Sequence, residues 1–183
     1  KMEFYGQLNL LKTGITFADA ITTVSPEYAK EIQTEDFGES LQGVLRYRSE
    51  SIWGILNGID TNEWNPETDQ NIAATYNVET VFEKKPLNKA ALQRECHLPE
   101  LPDVPLLGAV SRFDWQKGLD LVADIIPHFV ESRGAQFVIL GTGEADLERR
   151  FTELAARYPN NVAALIEFSA PLSHRVEAGL DIF

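Results

Sequence analysis

The stretch Pro105-Leu-Leu-Gly-Ala-Val110 is followed directly by Ser111-Arg-Phe-Asp-Trp-Gln-Lys-Gly118, and these two segments decide the fold. The first is a short apolar run, which predicts a strand buried on both faces of a parallel sheet. Residues 119–131 then carry apolar side chains at helical spacing. Arg112 and Lys117 therefore fall on a strand-to-helix loop, at the carboxyl end of a strand, where ligands bind in open α/β sheets.

The alternation of strand and helix continues along the rest of the chain. Residues 136–140 and 162–168 are predicted strands, with an amphipathic helix between them. Residues 171–179 are a predicted short helix, and residues 179–183 the beginning of a fourth strand. Strands and helices that alternate with short links indicate an α/β fold with a Rossmann-like parallel sheet and right-handed crossovers.

The first third of the chain has a less regular pattern. We predict a helix over residues 4–18 and strands over 20–24 and 52–56, with Ser25-Pro26 starting a helix as N-cap and first helical residue. Residues 34–50 are polar and poorly periodic, which is typical of a loop.

The middle of the chain is predicted to join two domains. Residues 61–85 are polar, and we interpret them as a crossing segment anchored by Trp64. Residues 88–96 form a predicted short helix on which Cys96 is packed rather than reactive. Prolines then lead into the strand described first.

Arg112 and Lys117 are the candidate site for an anion. A helix N-terminus offers free N–H groups, and a forked guanidinium with an ammonium beside it would suit a phosphate or diphosphate. The alternative is that both residues are solvated loop cations.

Gly141-Thr-Gly143 follows a predicted strand and precedes a helix, so it could bring backbone close to a nucleotide. Asp146 stands where the dinucleotide fingerprint has its third glycine, and the sequence contains no phosphate-binding P-loop motif. Both classes of site are therefore disfavoured, and a tight turn without a ligand remains the alternative for the two glycines.

Composition narrows the possible partners. The 183 residues are 44% hydrophobic, as in a packed globular protein, and the net charge is −12. Such acidity disfavours nucleic acid and anionic membranes as partners but leaves a neutral polysaccharide unaffected.

A single cysteine permits no internal disulfide. His128 has no neighbour at metal-ligand spacing, and His174 is predicted to be structural, bonding to nearby backbone.

Residues 111–120 resemble the S-R-x-x-x-Q-K-G-x-D stretch of bacterial glycogen synthases and of plant or cyanobacterial starch synthases. Other blocks resemble the same family in the same order along nearly the whole chain. They are Glu3-Phe-Tyr-Gly-Gln7, Val24-Ser-Pro26, Gly54-Ile-Leu-Asn-Gly-Ile-Asp60, Trp64-Asn-Pro66, Leu140-Gly-Thr-Gly143 and Leu172-Ser-His174.

The resemblance implies a retaining glucosyltransferase with two Rossmann-like domains. It would move glucose from ADP-glucose or UDP-glucose to the non-reducing end of an α-1,4-glucan, with no cofactor and no metal. Residues 1–65 would end the first, acceptor-side domain, and residues 66–183 would begin the second, nucleotide-sugar-binding domain. Arg112 and Lys117 would be catalytic and stabilise charge on the leaving diphosphate.

The resemblance also assigns donor-binding residues, namely Asn57, Gly141, Gly143 and Phe168. Asn57 would lie close to the donor sugar, although it is equally a good turn residue. Phe168 would lie against the nucleotide base, with a core aromatic at a strand end as the alternative. Lys12-Thr-Gly resembles the family's donor-loop motif but lies within a helical pattern, so no role is carried over to it.

Several questions stay open at this stage. A sucrose or mannosyl transferase of the same two-domain class and a non-catalytic nucleotide- or glycan-binding scaffold are the alternatives. The choice between ADP and UDP donors, and between bacterial cytoplasm and plastid stroma or starch granule, is not decided. The family's catalytic histidine and acidic block would lie beyond the two ends of this sequence, so we expect the chain alone to be inactive.

Overall fold

A computed structural model describes residues 3–183, which form two compact units. The first unit ends at Ile59 and the second begins at Asp60. The first contains β1 (Glu3–Phe4), β2 (Gln7–Leu8), α1 (Leu10–Phe17), β3 (Ile21–Val24), α2 (Pro26–Glu31), α3 (Gln42–Tyr47) and β4 (Ile52–Ile55). The second contains α4 (Val81–Glu95), β5 (Leu106–Val110), α5 (Leu119–Arg133), β6 (Gln136–Leu140), α6 (Ala145–Arg157), β7 (Val162–Leu165) and α7 (Ala170–Gly179).

In the first unit, β3 and β4 pair in parallel from Ile21 opposite Ile52 to Val24 opposite Ile55. The chain then enters α2 through Ser25, whose hydroxyl accepts hydrogen bonds from the N–H groups of Glu27 and Tyr28. The predicted Ser25-Pro26 helix start is therefore confirmed.

The second unit is built on a parallel sheet with the strand order β5-β6-β7. Every residue of the central strand β6 is buried. On the other side of β5, Ile182 forms an isolated parallel bridge with Leu107. The winding therefore reverses at β5, which is the switch point where doubly wound sheets bind ligands. The α/β class with parallel strands is confirmed.

The alternating side chains of β6 supply two hydrophobic layers, one on each face of the sheet. Phe137 and Ile139 pack with the buried faces of α5 and α6. Val138 and Leu140 pack with Leu92 of α4 and with α7. This sandwich fixes the loops that leave the carboxyl ends of β5, β6 and β7.

Several predicted boundaries are corrected. The helix over 4–18 is a short hairpin followed by α1, because Tyr5 and Gly6 have positive φ angles of 50° and 80° and turn the chain back. The predicted loop over 34–50 contains α3. Helix α4 starts at Val81 and runs through Pro86, whose missing N–H removes only one bond of the helix.

The last part of the sheet also differs from the prediction. Strand β7 ends at Leu165, so Phe168 lies in the loop beyond it. Helix α7 extends to Gly179, and the predicted fourth strand over 179–183 is limited to the bridge at Ile182.

Candidate functional site

A pocket of about 180 Å³ lies at the carboxyl ends of β5, β6 and β7. Its polar lining includes Arg112, Thr142, Glu167, Ser169 and Ser173. Pockets that take whole ligands measure roughly 300 to 1,000 Å³, so this one could hold only part of a larger ligand.

Arg112 follows β5 directly, is exposed and lines this pocket. Lys117 is also exposed and ends a 3-10 turn formed by Trp115–Lys117, but it is outside the pocket lining. The Asp114 carboxylate caps this turn by accepting a hydrogen bond of 2.9 Å from the N–H of Gln116. The predicted cation pair therefore lies on one loop with only Arg112 in the concavity.

The two glycines of the second loop bring it against the first. A Cβ on Gly141 would lie 1.8 Å from the carbonyl oxygen of Ser111, and one on Gly143 would lie 2.1 Å from that of Phe113. The Phe113 N–H donates to Thr142 O at 2.9 Å, and the Glu144 N–H donates to Phe113 O at 2.7 Å. Gly141 lines the pocket, whereas Gly143 serves the contact between the loops.

Phe168 is 92% exposed and lines the pocket with the adjacent Glu167. Its interpretation as a core aromatic is therefore wrong, because β7 ends too early to carry it into the sheet. An exposed ring at the rim of a polar pocket presents a flat face on which a base can stack.

Asn57 follows β4 in the first unit and is exposed. Glu167, Ser169 and Ser173 were missed by the sequence analysis. The pattern Ser169-Ala-Pro171 is typical of a helix start, and the Ser169 hydroxyl does accept from the Leu172 N–H. That pattern could have placed Ser169 at the strand-to-helix loop where the pocket lies.

A buried polar cluster lies on α7 beside the pocket. His174 Nδ1 is 2.6 Å from Asp69 Oδ2, and the two side chains are 4% and 7% exposed. The ring of Trp64 stacks on the imidazole at 3.9 Å with the planes 5° apart. His174 is structural as predicted, but its partner is a distant carboxylate rather than nearby backbone. Trp64 does anchor the segment before α4.

Asp69 keeps its charge in this cluster. Burial on its own raises the pKa of the Asp69 carboxyl, but hydrogen bonds from the Asn71 N–H and from His174 outweigh it, and the pKa falls below its usual value. Since a carboxylate only accepts hydrogen bonds, Nδ1 of His174 carries the proton between them.

A larger pocket of about 700 Å³ lies along α4 near the start of β5. There Lys89 Nζ is 2.7 Å from Asp181 Oδ2 and donates to the carbonyl oxygens of Pro102 and Val104. The three partners use all the donors of the buried Lys89 ammonium. This pocket also lies at the opposite ends of the strands from the predicted site residues. We therefore place the candidate site at the smaller pocket.

Within residues 3–183, no helix combines the length and apolar character needed to cross a membrane. Over the same residues, no group of three His, Cys, Asp or Glu side chains converges at a possible metal site.

Comparison with known proteins gives consistent matches. The family described as starch synthase catalytic domain matches residues 1–47. Glycogen synthase of Pseudothermotoga lettingae is 47% identical over 182 residues, which is 100% of this chain and 37% of that protein. Glycogen synthase of Cellvibrio japonicus is 49% identical over 183 residues, which is 100% of this chain and 38% of that protein.

A solved structure agrees with these relatives. The catalytic domain of starch synthase IV from Arabidopsis thaliana, bound to ADP and acarbose, matches with a TM-score of 0.88 and 36% identity. The match covers 96% of this chain and 36% of that one. The chain thus spans little more than a third of the length of its relatives, and the resemblance found in the sequence is confirmed. In sequence over its whole length, and in fold over 96% of it, the chain corresponds to a part of the glycogen and starch synthases.

Proposed function

We propose that this chain supplies the nucleotide-sugar site of a retaining glucosyltransferase that extends an α-1,4-glucan. The observation that carries the proposal is the pocket at the ends of β5, β6 and β7, which brings Arg112, Gly141 and Phe168 together. It is supported by the likeness to a starch synthase whose structure holds ADP and acarbose.

In this proposal the base stacks on Phe168, and the diphosphate reaches toward the loop that carries Arg112 and Lys117. As the bond to the sugar breaks, negative charge grows on the leaving phosphate. Cations fixed near that position stabilise the transition state more than the ground state, which raises the rate of the chemical step. Asn57 would contact the donor sugar, and no metal is needed for this role.

ADP-glucose is the donor we favour, because the starch synthase IV structure contains ADP. The proposed acceptor is a neutral glucan, which the net charge of −12 does not repel. A bacterial cytoplasm or a plastid is the compartment that fits relatives of these two kinds.

Calorimetric titration of the chain with ADP and with UDP tests the binding site. We expect ADP to bind more tightly than UDP, and Arg112→Ala to weaken ADP binding by roughly tenfold, the equivalent of one charge-assisted contact. Arg133→Ala is the matched control, because Arg133 is an exposed arginine at the far end of α5. A chain that binds neither nucleotide would contradict the proposal.

Turnover tests the chemistry and requires an enzyme of the relatives' full length that contains this chain. We expect Lys117→Ala to lower kcat by more than about a hundredfold, the scale of one lost electrostatic contact in a transition state. Near-normal turnover would remove Lys117 from the mechanism. ADP binding without any sugar transfer in that enzyme would favour the non-catalytic scaffold.

A further inference from the structure

The segment before α4 is fastened to two helices of the second unit, α7 and α4. Trp64 and Asp69 contact His174 of α7. Farther along, the Asn88 side chain accepts from the Ala74 N–H at 3.0 Å and donates to the Ala74 carbonyl oxygen at 2.8 Å. Residues 60–80 are therefore held as a strap across α4 and α7, and we call them the strap.

His174, the residue of α7 that the strap contacts, directly follows a residue of the candidate site. Ser173 lines the pocket and immediately precedes His174 on the helix. Ser169, which caps α7, also lines the pocket, and the Ser173 hydroxyl donates to the Ser169 carbonyl oxygen at 3.0 Å. The first turn of α7 thus forms part of the pocket wall, and the next residue carries the buried imidazole.

We propose that Asp69, His174 and Trp64 are positioning residues for the nucleotide pocket: they fasten the strap to α7 and thereby fix the turn of α7 that carries Ser169 and Ser173. This inference rests on the proposed function, since it takes the pocket to be the nucleotide site.

The physical reason is the cost of moving a buried charge. The Asp69 carboxylate is almost wholly shielded from water and is satisfied by Asn71 and His174. Any shift of α7 that lengthens the contact with Nδ1 leaves that charge without its partner, which is strongly unfavourable. The flat stack of Trp64 on the imidazole also fixes the orientation of the ring. Together these contacts restrict both the position and the rotation of the first turns of α7.

Two substitutions of His174 separate the hydrogen bond from the stack. His174→Phe keeps an aromatic ring for Trp64 but leaves Asp69 Oδ2 without its hydrogen-bond donor. His174→Asn loses the stack but keeps an amide donor near the position of Nδ1. We expect His174→Phe to weaken ADP binding by roughly tenfold, measured by calorimetry, and His174→Asn to recover most of that affinity.

The matched control is Asp181→Asn, which removes the partly exposed carboxylate that pairs with the buried Lys89 ammonium, at the opposite ends of the strands. We expect it to lower the melting temperature about as much as His174→Phe but to leave ADP affinity within about twofold. Equal losses of ADP affinity in both variants, or unchanged affinity in His174→Phe, would overturn the proposal. Either result would mean that the cluster stabilises the fold without positioning the pocket.

A milder substitution covers the case in which His174→Phe does not fold. Trp64 is 38% exposed, so Trp64→Ala removes the stack without opening the core. We expect it to weaken ADP binding about threefold, and wild-type affinity would contradict the inference. A wild-type chain that binds no ADP would instead refute the proposed function itself, so the two failures are distinguishable.

Discussion

At the scale of single residues, Gly141 and Gly143 show why a side chain is excluded from the second loop. A Cβ on either glycine would meet backbone of the first loop, and one on Gly141 would also lie 2.9 Å from the buried Phe113 ring. From the sequence, these glycines are expected to allow close approach of a ligand or to form a tight turn. The structure adds a third reason, the contact between two neighbouring loops, which a one-dimensional pattern does not contain.

Gly143→Ala tests that contact. The new Cβ would meet Phe113 O at 2.1 Å, so the loops must separate, and we expect unfolding free energy to fall by about 1 to 3 kcal/mol, as in overpacked cores. Urea denaturation measures the change. Gly14→Ala is the control, because no atom lies within 4 Å of its Cβ in α1, and there alanine should stabilise by about 0.5 to 1 kcal/mol. Equal effects at both sites would contradict the explanation.

Cys96 gives a second prediction at this scale. Burial, with a smaller contribution from Glu95, raises the pKa of its thiol to about 12. Since the thiolate is the reactive form, we expect a disulfide reagent at pH 8 to label the native chain far more slowly than the chain in denaturant. Rapid labelling of the native chain, followed by absorbance, would show that Cys96 is not packed as described.

At the scale of elements, periodicity predicted the sheet of the second unit well. The predicted strand over Gln136–Leu140 has the predicted bounds and is buried throughout. The strand predicted from Pro105 begins at Leu106, and only Leu106 is buried, since Leu107–Val110 are half-buried. Periodicity failed where backbone angles decide, as at Tyr5 and Gly6, and where Pro86 lies inside α4. The pocket lining from α7 was missed because the end of β7 depends on pairing with β6, which the sequence of β7 alone does not determine.

At the start of α2, the N-cap residue Ser25 combines a stabilising hydrogen bond with a strained backbone angle. Ser25 caps the helix through its hydroxyl, but it does so with a φ angle of 83°, which favours glycine. We therefore expect Ser25→Ala to destabilise the first unit by about 1 kcal/mol, because it loses the cap and keeps the strain. Ser25→Gly should cost less, since it relieves the backbone. Chemical denaturation compares them, and an alanine variant more stable than the glycine variant would contradict this account.

At the scale of the whole molecule, the two units differ in how much core they contain. The second has two hydrophobic clusters, one on each face of its sheet. Among residues 3–59, the buried apolar side chains are Ala29, Leu41 and Leu45. The sheet formed by β3 and β4 alternates between half-buried and exposed residues, whereas β6 is buried throughout.

Hydrogen–deuterium exchange should reveal this difference. We expect the amides of β6 to exchange slowest, because a central buried strand opens only with its whole unit, and those of β3 and β4 to exchange faster. Mass spectrometry of peptides from each strand makes the measurement. Comparable protection of β3, β4 and β6 would contradict the assignment of stability to the second unit.

Backbone hydrogen bonds join Phe113 to Thr142 and Glu144. They limit how related sequences can vary in the lengths of these two loops. Insertions usually accumulate freely in surface loops, but here neither loop can lengthen without breaking its fit to the other. Length changes in related sequences should therefore occur in both loops or in neither. If the pocket holds a nucleotide as proposed, differences in nucleotide preference would come from single side chains at its rim and from the turn that leads into α7.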